Sequence, residues 1–188
     1  MLKTIEEFGA KVEISGFRTE KIEDPQDFLR RINEIKSAGI QTQLFDSSVI
    51  ATWQHLYFAA LNALTAFNNK TNISRSIAME TLLYAAAERQ IAKATTKLGV
   101  SPRTTEVAVL IIGKDEQKVK STFSRISKLI DGKHDETVLS LTKPKISKIE
   151  KVFNISDAEF SSVKNKDNLN KALVDLILER IALVSSER

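Results

Sequence analysis

The sequence predicts a helix-rich α/β fold of the α+β kind, in which helices flank a small sheet of three or four strands. Three observations carry that prediction. Val107-Ala-Val-Leu-Ile-Ile112 is apolar at every position, as a central strand buried on both faces must be. Three long stretches, 52–67, 72–98 and 168–184, repeat apolar residues every three or four positions, the period of helices with one face on a core. Ala10-Lys-Val-Glu-Ile-Ser-Gly-Phe17 alternates apolar with polar residues, the period of a strand with one wet face. A chain of 188 residues fills one well-packed domain, taken as 1–188, and a second would have to be small.

Bulk composition narrows the function classes. With 42% hydrophobic and 28% charged residues the chain is an ordinary globular one, which excludes disorder. No apolar run approaches the roughly 20 residues of a membrane span, so no membrane role is expected. Glu6 and Glu7 stand where a signal peptide would be apolar, and the expected location is cytoplasmic. The lack of cysteine excludes disulfides, thiol catalysis and cysteine-ligated zinc or iron–sulfur sites. His55 and His134 lie far apart and outside any metal-spacing motif, so neither metal nor cofactor is expected. A net charge of +4 with a pI near 9.2 is a mild bias toward polyanionic partners.

The elements follow in order. The strand 10–17 reads as an outer one. Asp24 or Asp27 caps a helix that opens on Pro25, carries Phe28, Leu29, Ile32 and Ile35 inward, and ends at Gly39. Gln41–Phe45 reads as a short strand. The helix 52–67, capped by Thr52 or Ser48, places Trp53, Leu56, Tyr57, Ala60, Leu61, Leu64 and Phe67 inward, and His55, with Ala59, Asn62 and Ala66, projects away from the core to a solvated position. After Val107–Ile112, acidic residues in Gly113-Lys-Asp-Glu116 open a helix with Val119, Phe123, Ile126 and Ile130 inward. Acid in a first turn suits the helix dipole, not a bound anion, and neither phosphate-loop pattern is present. Val138–Leu141 reads as a short strand, and Pro144–Phe153 as a helix with Lys145, Lys148 and Lys151 on a solvated face. The last helix, Asn168 to about Val184, is apolar nearly all round, which leaves a second face for a partner.

The stretch 72–100 has two readings. Met79, Leu82, Leu83, Ala86, Gln90, Ala94 and Leu98 share a helix face on which Gln90 is a misfit, because a buried amide costs ~1–3 kcal/mol unless both ends are paired. Alanine-rich sequence favours one continuous helix. A break at Ala86-Ala87-Glu88 instead lets Arg89 and Gln90 open a second helix, which Gly99 closes as a left-handed cap. Gln90 then lies at a helix N-terminus, where unpaired N–H groups favour anions.

No combination of residues forms a recognisable catalytic motif: there is no nucleophile elbow, no HExxH and no carboxylate pair among apolar residues. Binding is favoured over chemistry. A stand-alone RNA-processing enzyme with carboxylates assembled only by the fold, and a kinase regulator with no RNA role, are the alternatives.

Several stretches together resemble the small kinase-binding subunit of the KEOPS (EKC) complex. They are Ser74-x-Ser-x-x-Met79-Glu80-x-Leu-Leu-x-Ala85, Glu88-Arg89-Gln90-Ile91-x-x-Ala94, Leu98-Gly99-Val100, and upstream Ile50-Ala-Thr-x-x-His55-x-x-x-Ala59. The resemblance covers nearly the whole chain. Archaeal relatives often have glycine at the position of Ala87, which favours two helices over one. The resemblance implies a non-catalytic subunit of the complex that makes threonylcarbamoyladenosine in tRNA. It would bind and activate the small atypical kinase (ATPase) subunit and recruit tRNA by its 3′ CCA end. On that basis Arg75, Arg89, Gln90, Lys93 and His55 are the expected RNA contacts, and Leu178, Ile181 and Leu183 the kinase interface.

Overall fold

The computed structural model describes residues 1–35, 37–156, 158–159 and 169–184. A four-stranded antiparallel sheet runs in the order β1 (Leu2–Ile5), β2 (Ala10–Thr19), β4 (Glu106–Gly113), β3 (Gln41–Asp46), and a three-residue β5 (Gly132–His134) pairs with the end of β2. The helices are α1 (Pro25–Glu34), α2 (Trp53–Asn68), α3 (Ile77–Ala86), α4 (Ile91–Leu98), α5 (Glu116–Leu129), α6 (Lys143–Phe153) and α7 (Leu169–Leu183).

β4 is central and explains its own composition. Val107, Val109 and Ile111 pack with α1 and α5 on one face, while Ala108, Leu110 and Ile112 pack with α2, α3 and α7 on the other. Helices therefore cover the sheet on both sides, and the larger core lies on the side of α2, α3 and α7. Asp24 caps α1 as anticipated, accepting hydrogen bonds from the amides of Gln26 and Asp27 with Pro25 in the first turn.

Several expectations are corrected. β2 is not an outer strand, because it lies between β1 and β4. Its polar face is largely covered: Glu13 and Ser15 are buried, and the Ser15 hydroxyl donates to the Glu13 carboxylate at 2.7 Å. α1 stops at Glu34, and Gly39, at φ 81°, serves the turn into β3 instead. The expected strand at 138–141 is a 3-10 turn, Glu136–Leu139, capped by Asp135. This turn lies on Gly16, where an added Cβ would come within 2.4 Å of Val138 and 2.7 Å of the Asp135 carbonyl. Lys145 is not on a solvated face: it is buried, and its ammonium donates to the Val138 carbonyl at 2.6 Å. Asn168, the expected start of the last helix, lies outside the described residues.

Candidate functional site

The long helical stretch is broken, and the break is a backbone device. α3 starts at Ser76, whose hydroxyl accepts from the Met79 amide, and stops at Ala87 in the left-handed region, φ 50° and ψ 48°. The Ala87 amide donates to the Tyr84 carbonyl at 2.9 Å and that of Glu88 to the Leu83 carbonyl at 3.0 Å, the paired bonds of a Schellman motif. Lys97 holds the turn from α4. Its ammonium reaches the Ala86 carbonyl at 2.7 Å and Glu88 at 3.3 Å, and lies 4.4 Å from the centre of the Phe153 ring. Burial is the main force lowering its pKa, opposed by Glu88. Gly99 is extended, at φ −71°, and is not the expected left-handed cap. Glycine is required there for another reason: a Cβ would stand 2.5 Å from the Thr95 carbonyl oxygen.

Beyond the break, Gln90 is the extended N-cap of α4, exposed and making no capping bond with its side chain. Arg89 and Lys93 are also exposed at this end. Arg89 pairs with neither Glu80 nor Glu88. Its guanidinium donates to the Val184 carbonyl at 3.0 Å, tying the start of α4 to the end of α7. Glu80 instead is buried and accepts from the amides of Ile73 and Ser74, fixing the loop before α3. Arg75 is in that loop, at the opposite end of α3, so the ten-residue helix puts about 15 Å of axis between it and the α4 start. The structure brings Arg89, Gln90 and Lys93 together and leaves Arg75 apart.

His55 overturns its expectation. It is fully buried: Nδ1 accepts from the Ala51 amide at 3.2 Å, Nε2 lies 2.8 Å from the Ala85 carbonyl, and the ring meets Phe153 edge-on. Both bonds are satisfied by the neutral tautomer that carries its proton on Nε2. Burial pushes the pKa down to about 4, with the Ala85 bond opposing and Lys145 and Lys97 adding to the shift. This imidazole ties α2 to α3 and cannot stack on a base in this arrangement.

α7 buries Leu173, Leu176, Ile177, Ile181 and Val184 in the larger core. Ile181 is therefore a core residue with no surface to offer a partner, a correction of its expected place in the interface. Leu178 is half-buried and Leu183 is 50% exposed. Leu178 and Val174 line one side of an open recess whose other wall is Trp53 and Leu141, with the Lys3 ammonium 4.7 Å from the Trp53 ring centre.

The sequence model of the family described as kinase binding protein CGI-121 matches residues 20–185. This chain belongs to the CGI-121 family. It is 31% identical over 156 residues to the regulatory protein Cgi121 of Methanocaldococcus jannaschii, covering 83% of this chain and 91% of that protein. The span matched to the CGI-121 family takes in the break, all of α4 and all of α7.

Within this CGI-121 member, two features escaped sequence reasoning. Ile91, 46% exposed, stands in the first turn of α4 beside Arg89, although its spacing from Ala94 and Leu98 reads as core. Lys97, which no sequence pattern singles out, braces the break. Among the described residues no group of three or more His, Asp or Glu could hold a metal ion, and no helix is long and apolar enough to cross a membrane.

Proposed function

We propose that this protein is a non-catalytic subunit of a KEOPS-type tRNA-modifying complex, one that binds and activates the small atypical kinase and recruits tRNA through its 3′ CCA end. The observation that carries the reading is the break at Ala87, which presents the first turn of α4 to solvent. A single-stranded tail needs its phosphates neutralised and its unstacked bases covered. Arg89 and Lys93 provide charge, the first-turn amides of α4 provide donors aligned with the helix dipole, and Ile91 provides an apolar surface. For the kinase, Leu183 and Leu178, with Val174 and Ala182 beside them, are apolar side chains that α7 leaves accessible. Kinase binding, as the family's description has it, supports a partner surface of this kind.

The test is binding of the purified protein to intact tRNA and to the same tRNA lacking CCA, at two salt concentrations. Tight, salt-sensitive binding that disappears with the CCA is expected. Equal binding to both would reduce the RNA interaction to nonspecific charge and leave a kinase regulator. For the partner, Leu183→Asp should abolish capture of the kinase at unchanged thermal stability; full retention would move the interface elsewhere.

A further inference from the structure

We propose that the groove between α4 and α6 carries the sugar–phosphate backbone of the RNA strand leading to the 3′ end, with Lys93, Arg103 and Lys148 as its phosphate contacts. The inference rests on the tRNA reading above and extends it to a surface on the far side of α4.

Two adjoining recesses of about 490 and 540 Å³ form the groove, and they share Thr96, Lys97 and Val152. The first opens at Glu88 and Lys93, beside Arg89 at the start of α4. The second ends among Ser48, Ser101, Arg103 and Lys148. Eight residues of α4 separate the two ends, about 12 Å of helix axis. That is the length of a few nucleotides at ~3.4 Å each.

The charge of the groove favours a polyanion. Its carboxylates are outnumbered: Glu88 pairs with Lys97 at 3.3 Å, and Asp46 accepts from the Ser48 amide at 3.0 Å, with the Lys148 ammonium, 3.8 Å away, shared between Asp46 and the groove. Lys93 and Arg103 are exposed and make no ion pair among the described residues, and Lys148 is half exposed. The hydroxyls of Ser48, Ser101 and Thr105 on the walls suit ribose and phosphate oxygens. Among the described residues the walls carry no large aromatic or aliphatic anchor of the kind that concentrates binding energy in protein interfaces, which argues for a nucleic-acid strand over a protein partner.

The test compares two single-stranded RNAs, the trinucleotide CCA and an octamer ending in CCA, on the full chain and on Arg103→Gln, Lys148→Gln and the double variant. Both side chains are solvent-facing, and thermal melting checks that the fold is intact. The wild-type chain should bind the octamer several-fold more tightly than the trimer. Each substitution should weaken octamer binding about twofold to fivefold. It should also lower the salt slope by ~0.7, with trimer binding unchanged. Equal affinities for octamer and trimer, or a double variant with unchanged octamer affinity and slope, would overturn the groove assignment. An octamer ending in another sequence that binds equally well, yet still loses affinity in the double variant, would support the groove and overturn the 3′-end reading.

Discussion

Ala87 pays for the break that organises this fold. An L-residue in the left-handed region costs ~1–2 kcal/mol, whereas glycine has no Cβ to clash. Glycine gives some of that back through the greater freedom of its unfolded chain, and Ala87 loses a half-buried methyl. Ala87→Gly should therefore stabilise the protein by about 0.5–1 kcal/mol, a rise in melting temperature of about 2–4 °C per kcal/mol for a domain of this size. Ala87→Val should destabilise it, and a melting series over the two variants decides the matter. His55 makes a second prediction with a definite sign. Its folded pKa of about 4 lies below the ~6.5 of an exposed histidine, so the unfolded chain binds the proton first as pH falls. The stability it contributes is whole above about pH 6.5 and is lost as pH falls through 4, roughly 3 kcal/mol in all. Urea unfolding across that window should show this slope, reduced in His55→Gln; an identical acid slope in the variant would refute the assignment. The sequence placed His55 on the wrong side because it offered bulk as the guide to burial.

At the scale of elements, that guide failed in a particular way. On α2 the large residues Trp53, Tyr57, Leu61 and Leu64 are half-buried, whereas Ala59, Ala60, Ala63 and Ala66 are buried with His55 and Leu56. Small side chains let α2 approach α3 and α7 closely, so the alanine face is the packed one. Element positions were legible, because period and capping are local: α1 begins at Pro25, β4 is central and α6 ends at Phe153. What covers each face is decided by distant elements, and so β2, α2 and Lys145 were misplaced. The same distinction divides α7. Ile181 is in the core, and Ile181→Ala should cost about 2–5 kcal/mol by lost burial and cavity formation. Leu183, half exposed, should change stability by under ~0.5 kcal/mol when replaced by alanine. Denaturant midpoints at constant m-value separate the two, and comparable losses would mean that the end of α7 is packed differently.

Over the whole molecule, the candidate RNA end of α4 and the exposed end of α7 are joined by the hydrogen bond from Arg89 to the Val184 carbonyl. Of the candidate site, the grouping of Arg89, Gln90 and Lys93 at the start of a helix was legible from the possible break at Ala86–Glu88, which the family resemblance favoured. Their contact with α7 was not, since it joins residues 95 positions apart. That contact changes how the site must be tested. A charged donor to a partly buried carbonyl is worth about 1.5–3 kcal/mol, so Arg89→Ala should lower stability and RNA affinity together, and affinity alone would not reveal which loss came first. Lys93 resolves the ambiguity. It is exposed and makes no ion pair among the described residues, so Lys93→Ala should leave the melting temperature unchanged. If the α4 end binds a single strand, the same substitution should reduce the salt slope of binding by ~0.7. Arg89→Lys should fall between the two, keeping the charge for RNA while losing the planar fork that can hold Val184 and a phosphate at once. A Lys93→Ala protein with unaltered affinity and slope would limit Arg89 to the structural task of holding α7 against α4.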